Sequence, residues 1–313
     1  MQKKGRVIKS TGKEYEIVTT NGEKITAVIK GRLRINSFKS TNPIAIGDIV
    51  QVEVKDNNDK AFITGIEERK NFIIRKATKL SKQFQILAAN IDQAFLMITF
   101  KNPRTSTTFT DRFLATAEAY RVPVILLFNK VDLLRSESLK EELFFLKNVY
   151  QSLGYSVIEL SVTKGINIDV VKEKVKGKVS LLSGHSGTGK SSLIKALNFN
   201  INIEIGKLSR YHHSGQNTTS HSQMYQVFKN SYLIDTPGIK GFGLFDFKQH
   251  EIPHFFREIF ETGRQCGFDD CTHTHERNCA VKQAVEEGRI SITRYESYLD
   301  IFFDKNDKYR KPF

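Results

Sequence analysis

The order of two short segments constrains this chain more than any other feature of it. Asn129-Lys130-Val131-Asp132 comes first, and Gly184-His185-Ser186-Gly187-Thr188-Gly189-Lys190-Ser191 follows. The second segment has the spacing of a phosphate-binding loop and lies between an apolar stretch, residues 179–182, and a helical pattern, residues 191–197. Its glycines let successive backbone N–H groups turn toward phosphate oxygens, and the helix that follows adds the positive end of its dipole. Lys190 is placed to reach β- and γ-phosphates. The hydroxyl of Ser191, with Ser192 beside it, is placed to meet a Mg²⁺ ion.

Such a loop needs a parallel sheet behind it, and the central sequence supplies one. Residues 94–100 and 122–128 are continuous apolar runs of the kind buried on both faces. Residues 155–160, 179–183 and 232–234 continue the series, with helical patterns at 110–120, 139–153 and 191–197 between them. This alternation predicts a doubly wound α/β domain over residues 80–243, with ligands at the carboxyl ends of its strands.

Asn129-Lys130-Val131-Asp132 stands at one of those strand ends. A carboxylate at Asp132 can accept hydrogen bonds from the ring N–H and the exocyclic amine of guanine. Adenine offers neither donor and would leave that carboxylate unpaired, a difference worth roughly 10⁴ or more in selectivity. The motif thus points to GTP and GDP, and argues against a P-loop ATPase or small-molecule kinase. Ser161-Val162-Thr163-Lys164 ends another strand, where Ser161 and Val162 can support the base.

Asp235-Thr236-Pro237-Gly238 closes the strand at 232–234. A carboxylate there can reach Mg²⁺ through water, and the Gly238 N–H can meet the γ-phosphate. Between the two phosphate elements lies the polar stretch from Tyr211 to Ser220, with the composition of a switch segment. Thr219 is the first choice for a Mg²⁺ ligand in it and Thr218 the second. Ile239 follows Gly238 where a water-orienting glutamine often stands, so slow intrinsic hydrolysis accelerated by a partner is expected.

Residues 1–72 read as a small β-barrel of the OB type. Strands at 15–20 and 24–29 flank the turn pair Asn21-Gly22, and further strands are expected at 49–54 and 61–66. Such a barrel serves either nucleic acid or structural bracing. Lys and Arg exceed Asp and Glu by 48 to 34, a formal charge of +14, which favours a polyanionic partner such as RNA. No apolar run is long enough to cross a bilayer, and the start of the chain lacks the apolar core of a signal peptide. A cytoplasmic, monomeric protein without membrane contact is expected.

All three cysteines fall in Cys266-(four residues)-Cys271-Thr272-His273-(five residues)-Cys279. Three thiolates and one imidazole make a closed tetrahedral set suited to one structural Zn²⁺. On spacing alone His275 competes with His273. Residues 244–313 are thus expected to form a mainly helical zinc-binding domain.

With the phosphate loop after the guanine motif, the chain resembles a circularly permuted GTPase. The N-terminal barrel, the cysteine cluster, Gly241-Phe242-Gly243-Leu244 and Cys271-Thr272-His273-Thr274-His275-Glu276 resemble the RsgA family throughout. That resemblance implies a GTPase of late small-subunit maturation that binds ribosomal RNA and is stimulated by the subunit. It selects His273 over His275 as fourth metal ligand. It also implies a catalytic histidine in the first switch. Here that position is Asn217, which can position water but cannot act as a base. An alternative reading is a GTP-regulated RNA-binding switch with incidental hydrolysis.

Overall fold

The computed structural model describes residues 2–29, 43–54, 61–76, 84–201, 222–236 and 247–303. The first five strands are β1 (Gln2–Ser10), β2 (Glu14–Thr19), β3 (Lys24–Ile29), β4 (Ile49–Val54) and β5 (Ala61–Ile66). They run β1-β2-β3-β5-β4, and a β4–β1 pairing closes the ring. The result is an OB-like barrel. Val7, Tyr15, Ile17, Val50, Val52 and Ile63 fill it, each 2% exposed or less. Alternation of buried and exposed residues along each strand is what one packed face demands. Asp48 is fully buried at the barrel mouth and is held by Arg69 through bonds of 2.7 Å to both carboxylate oxygens.

An antiparallel pair, β6 (Phe72–Lys76) and β7 (Phe84–Ala89), leads from the barrel to the α/β region. There the strands are β8 (Gln93–Ile98), β9 (Val124–Asn129), β10 (Ser156–Leu160), β11 (Val179–Gly184), β12 (Gln223–Phe228) and β13 (Ser231–Asp235). Their order across the sheet is β10-β9-β8-β11-β13-β12, all parallel except β12. Every residue of β8, β9 and β11 is buried, as largely apolar strands between two helical layers require. One face carries α1 (Thr107–Ala119) and α2 (Glu137–Ser152), and the other carries α3 (Ile168–Val175) and α4 (Lys190–Leu197).

The barrel and this sheet are continuous. Strand β1 pairs antiparallel with β12, Lys9 opposite Gln223, and the two regions share one apolar core. Strand β12 therefore sits between the barrel and the strand that delivers Asp235.

A short 3-10 segment (Gln249–Phe255), α5 (Arg257–Gly263), α6 (Ala280–Glu286) and α7 (Ile292–Phe302) form the C-terminal module. Its core of Phe256, Ile259, Val281, Ala284 and Tyr298 includes Ala115 of α1. Helix α1 is buried on both sides for that reason, from Phe109 to Ala117. Arg294 of α7 is 1% exposed and donates to Asp111 of α1 at 2.7 Å and to Glu258 of α5 at 2.6 Å. Burial opposes the charge of the guanidinium, but the two carboxylates more than offset this and raise its pKa. Arg294→Ala leaves Asp111 buried without its counter-charge. A loss of about 3–5 kcal/mol is expected, read as an earlier denaturant transition of the C-terminal module.

Candidate nucleotide and metal sites

The phosphate loop begins in β11 and ends at the first turn of α4, capped by Gly189. Two glycines are required by geometry. At Gly184, φ is +145° and a Cβ would lie 2.7 Å from the Met97 carbonyl oxygen. At Gly189, φ is +107° and a Cβ would lie 2.5 Å from Asn129 Nδ2. Lys190 is 7% exposed and donates to the carbonyls of Gly184 at 2.9 Å and His185 at 3.0 Å. Burial lowers its pKa, and the field of Asp235 opposes that shift. Asp235 is fully buried at the end of β13, and Ser191 is 9% exposed beside Lys190. Thr188 Oγ1 donates to the His185 carbonyl at 2.9 Å and tightens the turn that contains Ser186. Ser192 is half-buried on the next position of α4.

The guanine motif meets this loop directly. Asn129 ends β9, donates from Nδ2 to the Thr188 carbonyl at 2.7 Å and accepts from the Val162 N–H at 3.2 Å. Lys130 takes the left-handed conformation, φ +66°, and sends Nζ to the Gly187 carbonyl at 2.8 Å and to the Asn102 carbonyl. Asp132 lies in the 3-10 turn Val131–Leu133, and its Oδ1 accepts from Ser161 Oγ at 2.5 Å. Ser161 Oγ also accepts from the Lys164 N–H at 3.2 Å. Residues from three strand ends therefore form one hydrogen-bonded unit around the loop. Thr236 Oγ1 ties the strand end after Asp235 to the Leu182 carbonyl at 3.1 Å.

Asn217, Thr218, Thr219, Gly238 and Ile239 lie outside the described residues. Two participants carried no signal in the sequence. Asn102 enters through a backbone carbonyl, which any residue supplies. The Phe109 ring of α1 stacks on the His185 ring at 3.8 Å, although an aromatic residue on a helix reads as ordinary core.

The structure also gathers Cys266, Cys271, His273 and Cys279, whose ligand atoms all lie within 4.8 Å of one another. Nδ1 of His273 is 3.5 Å from the sulfurs of Cys266 and Cys279, and those sulfurs are 3.9 Å apart. A tetrahedron with Zn–S near 2.3 Å and Zn–N near 2.0–2.1 Å has edges of about 3.5–3.8 Å, so this donor set fits such an ion. His275 is exposed and points to Thr274 instead. Supports surround the cluster: Tyr295 donates to the His273 carbonyl and Tyr298 to the Thr272 carbonyl, each at 2.6 Å. Burial opposes charge on Glu276, yet the Thr272 hydroxyl and nearby backbone N–H groups bring its pKa down to about 2.

Together these features define a class: a P-loop GTPase domain in circularly permuted order, with a barrel before it and a Cys₃His module after it. A family model described as RsgA GTPase matches residues 66–245. The Small ribosomal subunit biogenesis GTPase RsgA of Bacteroides fragilis strain YCH46 is 49% identical over 99% of this chain and 100% of its own length. The protein of that name from Christiangramia forsetii is 47% identical, covering 98% of both chains. YjeQ from Thermotoga maritima is a structural neighbour with a TM-score of 0.76 at 31% identity, covering 97% of this chain and 98% of its own. YloQ, a circularly permuted GTPase, superposes with a TM-score of 0.71 at 25% identity over 100% of this chain and 97% of its own. The chain belongs to the RsgA GTPase family.

Proposed function

We propose that this protein hydrolyses GTP in the biogenesis of the small ribosomal subunit, acting in the cytoplasm and contacting ribosomal RNA. Full-length similarity to relatives named for that role supports the reading. One observation carries its nucleotide part. Asn129 and Lys130 bond to the carbonyls of Thr188 and Gly187, which locks the guanine motif to the phosphate loop. A base read by Asp132 and Ser161 would then set its phosphates over Lys190.

Within this reading residues 1–72, 80–243 and 244–313 act as barrel, GTPase and zinc-binding domains. Asn129, Lys130, Val131, Asp132, Ser161 and Val162 hold the base, and residues 184–192 hold the phosphates. Lys190, Thr219, Asp235 and Gly238 act at the γ-phosphate, with Asn217 available to position water. Ser191 and the buried Asp235 are hard oxygen donors suited to Mg²⁺, which would neutralise charge on the β- and γ-phosphates. The metal of the cysteine cluster is assigned as structural Zn²⁺, because thiolates and one imidazole fill all four positions. No helix among the described residues is long and apolar enough to cross a membrane.

Co-sedimentation with purified ribosomal subunits tests the proposal. Selective pelleting with small subunits in the presence of a non-hydrolysable GTP analogue, and weaker pelleting in GDP, is expected. Equal association with both subunits in both nucleotide states would overturn it.

A further inference from the structure

The end of the α/β sheet opposite the phosphate loop carries a surface that the nucleotide site does not use. Three turns meet there. Lys176-Gly177-Lys178 leads into β11, Lys229-Asn230 joins β12 to β13, and Asn198-Phe199-Asn200 follows α4. Hydrogen bonds fix them together. The Gly177 N–H donates to Ser231 Oγ at 2.9 Å, and Ser231 Oγ donates to the Lys229 carbonyl at 3.0 Å. Asn198 Nδ2 donates to the Val227 carbonyl at 3.1 Å.

Two properties of this surface agree. Phe199 is 82% exposed, more than any other large apolar residue described. A benzyl group held in water by a pinned turn gains nothing for the fold and offers a flat face to a ligand. The three turns themselves hold no carboxylate, and the neighbouring Glu173 and Asp92 are engaged, Glu173 with Lys176 and Asp92 with the Val179 N–H at 2.9 Å and Lys70. No Asp or Glu occurs between Glu173 and Glu204, nor in the β12–β13 hairpin before Asp235. Lys174, Lys195 and Lys229 are exposed in these segments. Lys176 pairs with Glu173, and Lys178 donates to Gln93 Oε1 at 3.1 Å, so the first three lysines carry the argument.

An exposed aromatic face with exposed lysines on the adjoining segments matches the chemistry of an unpaired nucleotide, whose base stacks while its phosphates meet ammonium groups. We infer that the foot of the GTPase sheet, centred on Phe199 with Lys174, Lys195 and Lys229, is a binding surface for single-stranded RNA. An acidic polypeptide would satisfy the lysines but leave no planar group for the ring. The inference rests on the proposed RNA-contacting function and adds a contact on the GTPase domain, far from the guanine site.

The test uses the full chain and a short fluorescein-labelled oligoadenylate, read by fluorescence anisotropy over a range of KCl. Phe199→Ala is expected to weaken binding about tenfold with the salt slope unchanged, as loss of one stacked base requires. The Lys195→Gln, Lys229→Gln double variant is expected to reduce the slope of log K against log[salt] by about 1.4, near 0.7 per phosphate contact. GDP affinity, measured with a fluorescent analogue, confirms that both variants are folded and should match the parent. Oligoadenylate binding unaltered in both variants overturns the inference, as does equal binding of polyglutamate. If the variants bind oligoadenylate normally while the parent still pellets with small subunits, only this surface is wrong. If the parent neither binds oligoadenylate nor pellets with small subunits, the proposed function falls with it.

Discussion

Asp132→Asn is expected to lower GTP affinity by roughly three orders of magnitude or more while raising affinity for xanthosine triphosphate. The geometry gives the reason. Asp132 is anchored through Oδ1 by the Ser161 hydroxyl at 2.5 Å, so its carboxylate has a fixed direction rather than sweeping a surface. An amide in that place turns a donor toward the guanine N–H and amine, and two sets of donors then face each other. Xanthine replaces the exocyclic amine with a carbonyl, which accepts from that same amide. Competition titration against a fluorescent GDP analogue measures both effects. Unchanged GTP affinity in the variant would remove Asp132 from the base site.

The second large effect is expected at the cysteine cluster. Cys279→Ser removes one sulfur from a set in which the donor atoms of Cys266, His273 and Cys279 stand near tetrahedral spacing. Metal content should fall from about one zinc per chain to near zero, because a closed Cys₃His site loses affinity steeply with any one ligand. Structural zinc contributes an apparent 10–16 kcal/mol in small modules, far beyond what the local packing can replace. Cys279 also sits at the N-terminus of α6, so the helix should lose protection from hydrogen exchange along with the metal. Zinc release by a thiol reagent in the parent protein, followed colorimetrically, gives the reference value. A parent with well under one zinc per chain, or a variant that retains its zinc, would contradict the assignment.

The parts of this molecule that could be read from sequence are those whose chemistry is local. A phosphate loop, a guanine motif and a cysteine cluster each need fixed residue types within a few positions, and so leave a pattern. Buried parallel strands such as β8 and β9 are equally plain, because both faces are covered and every position but Gln93 and Asn129 is apolar. Strand β1 left no such trace. Gln2-Lys3-Lys4-Gly5-Arg6-Val7 buries only Gly5 and Val7 among the residues described in that stretch, and its lysines mask the alternation. Strand β12 is masked for a related reason, since Gln223, Tyr225 and Gln226 dilute its apolar face. These two strands make the junction between barrel and GTPase sheet, so the continuity of the sheet could not be foreseen. The Arg294–Asp111 pair joins residues far apart in sequence, and only tertiary packing brings them together.

This junction bears on how the nucleotide state could be felt elsewhere. Asp235 closes β13, β13 pairs with β12, and β12 pairs with β1 of the barrel. On the other side, the phosphate-loop residue His185 stacks on Phe109 of α1, two positions before Asp111, which holds Arg294 of the C-terminal module. The barrel and the C-terminal module are therefore each linked through one intervening element, β12 and α1 respectively, to Asp235 and the phosphate-loop motif.

A GTPase centre of permuted order that serves the small ribosomal subunit should respond to that subunit and to no other. Its most direct test is the GTP hydrolysis rate of the purified full chain alone, with small subunits and with large subunits. Slow turnover alone, marked acceleration by small subunits and none by large ones are expected. A rate that is fast alone, or equally raised by either subunit, would contradict that role.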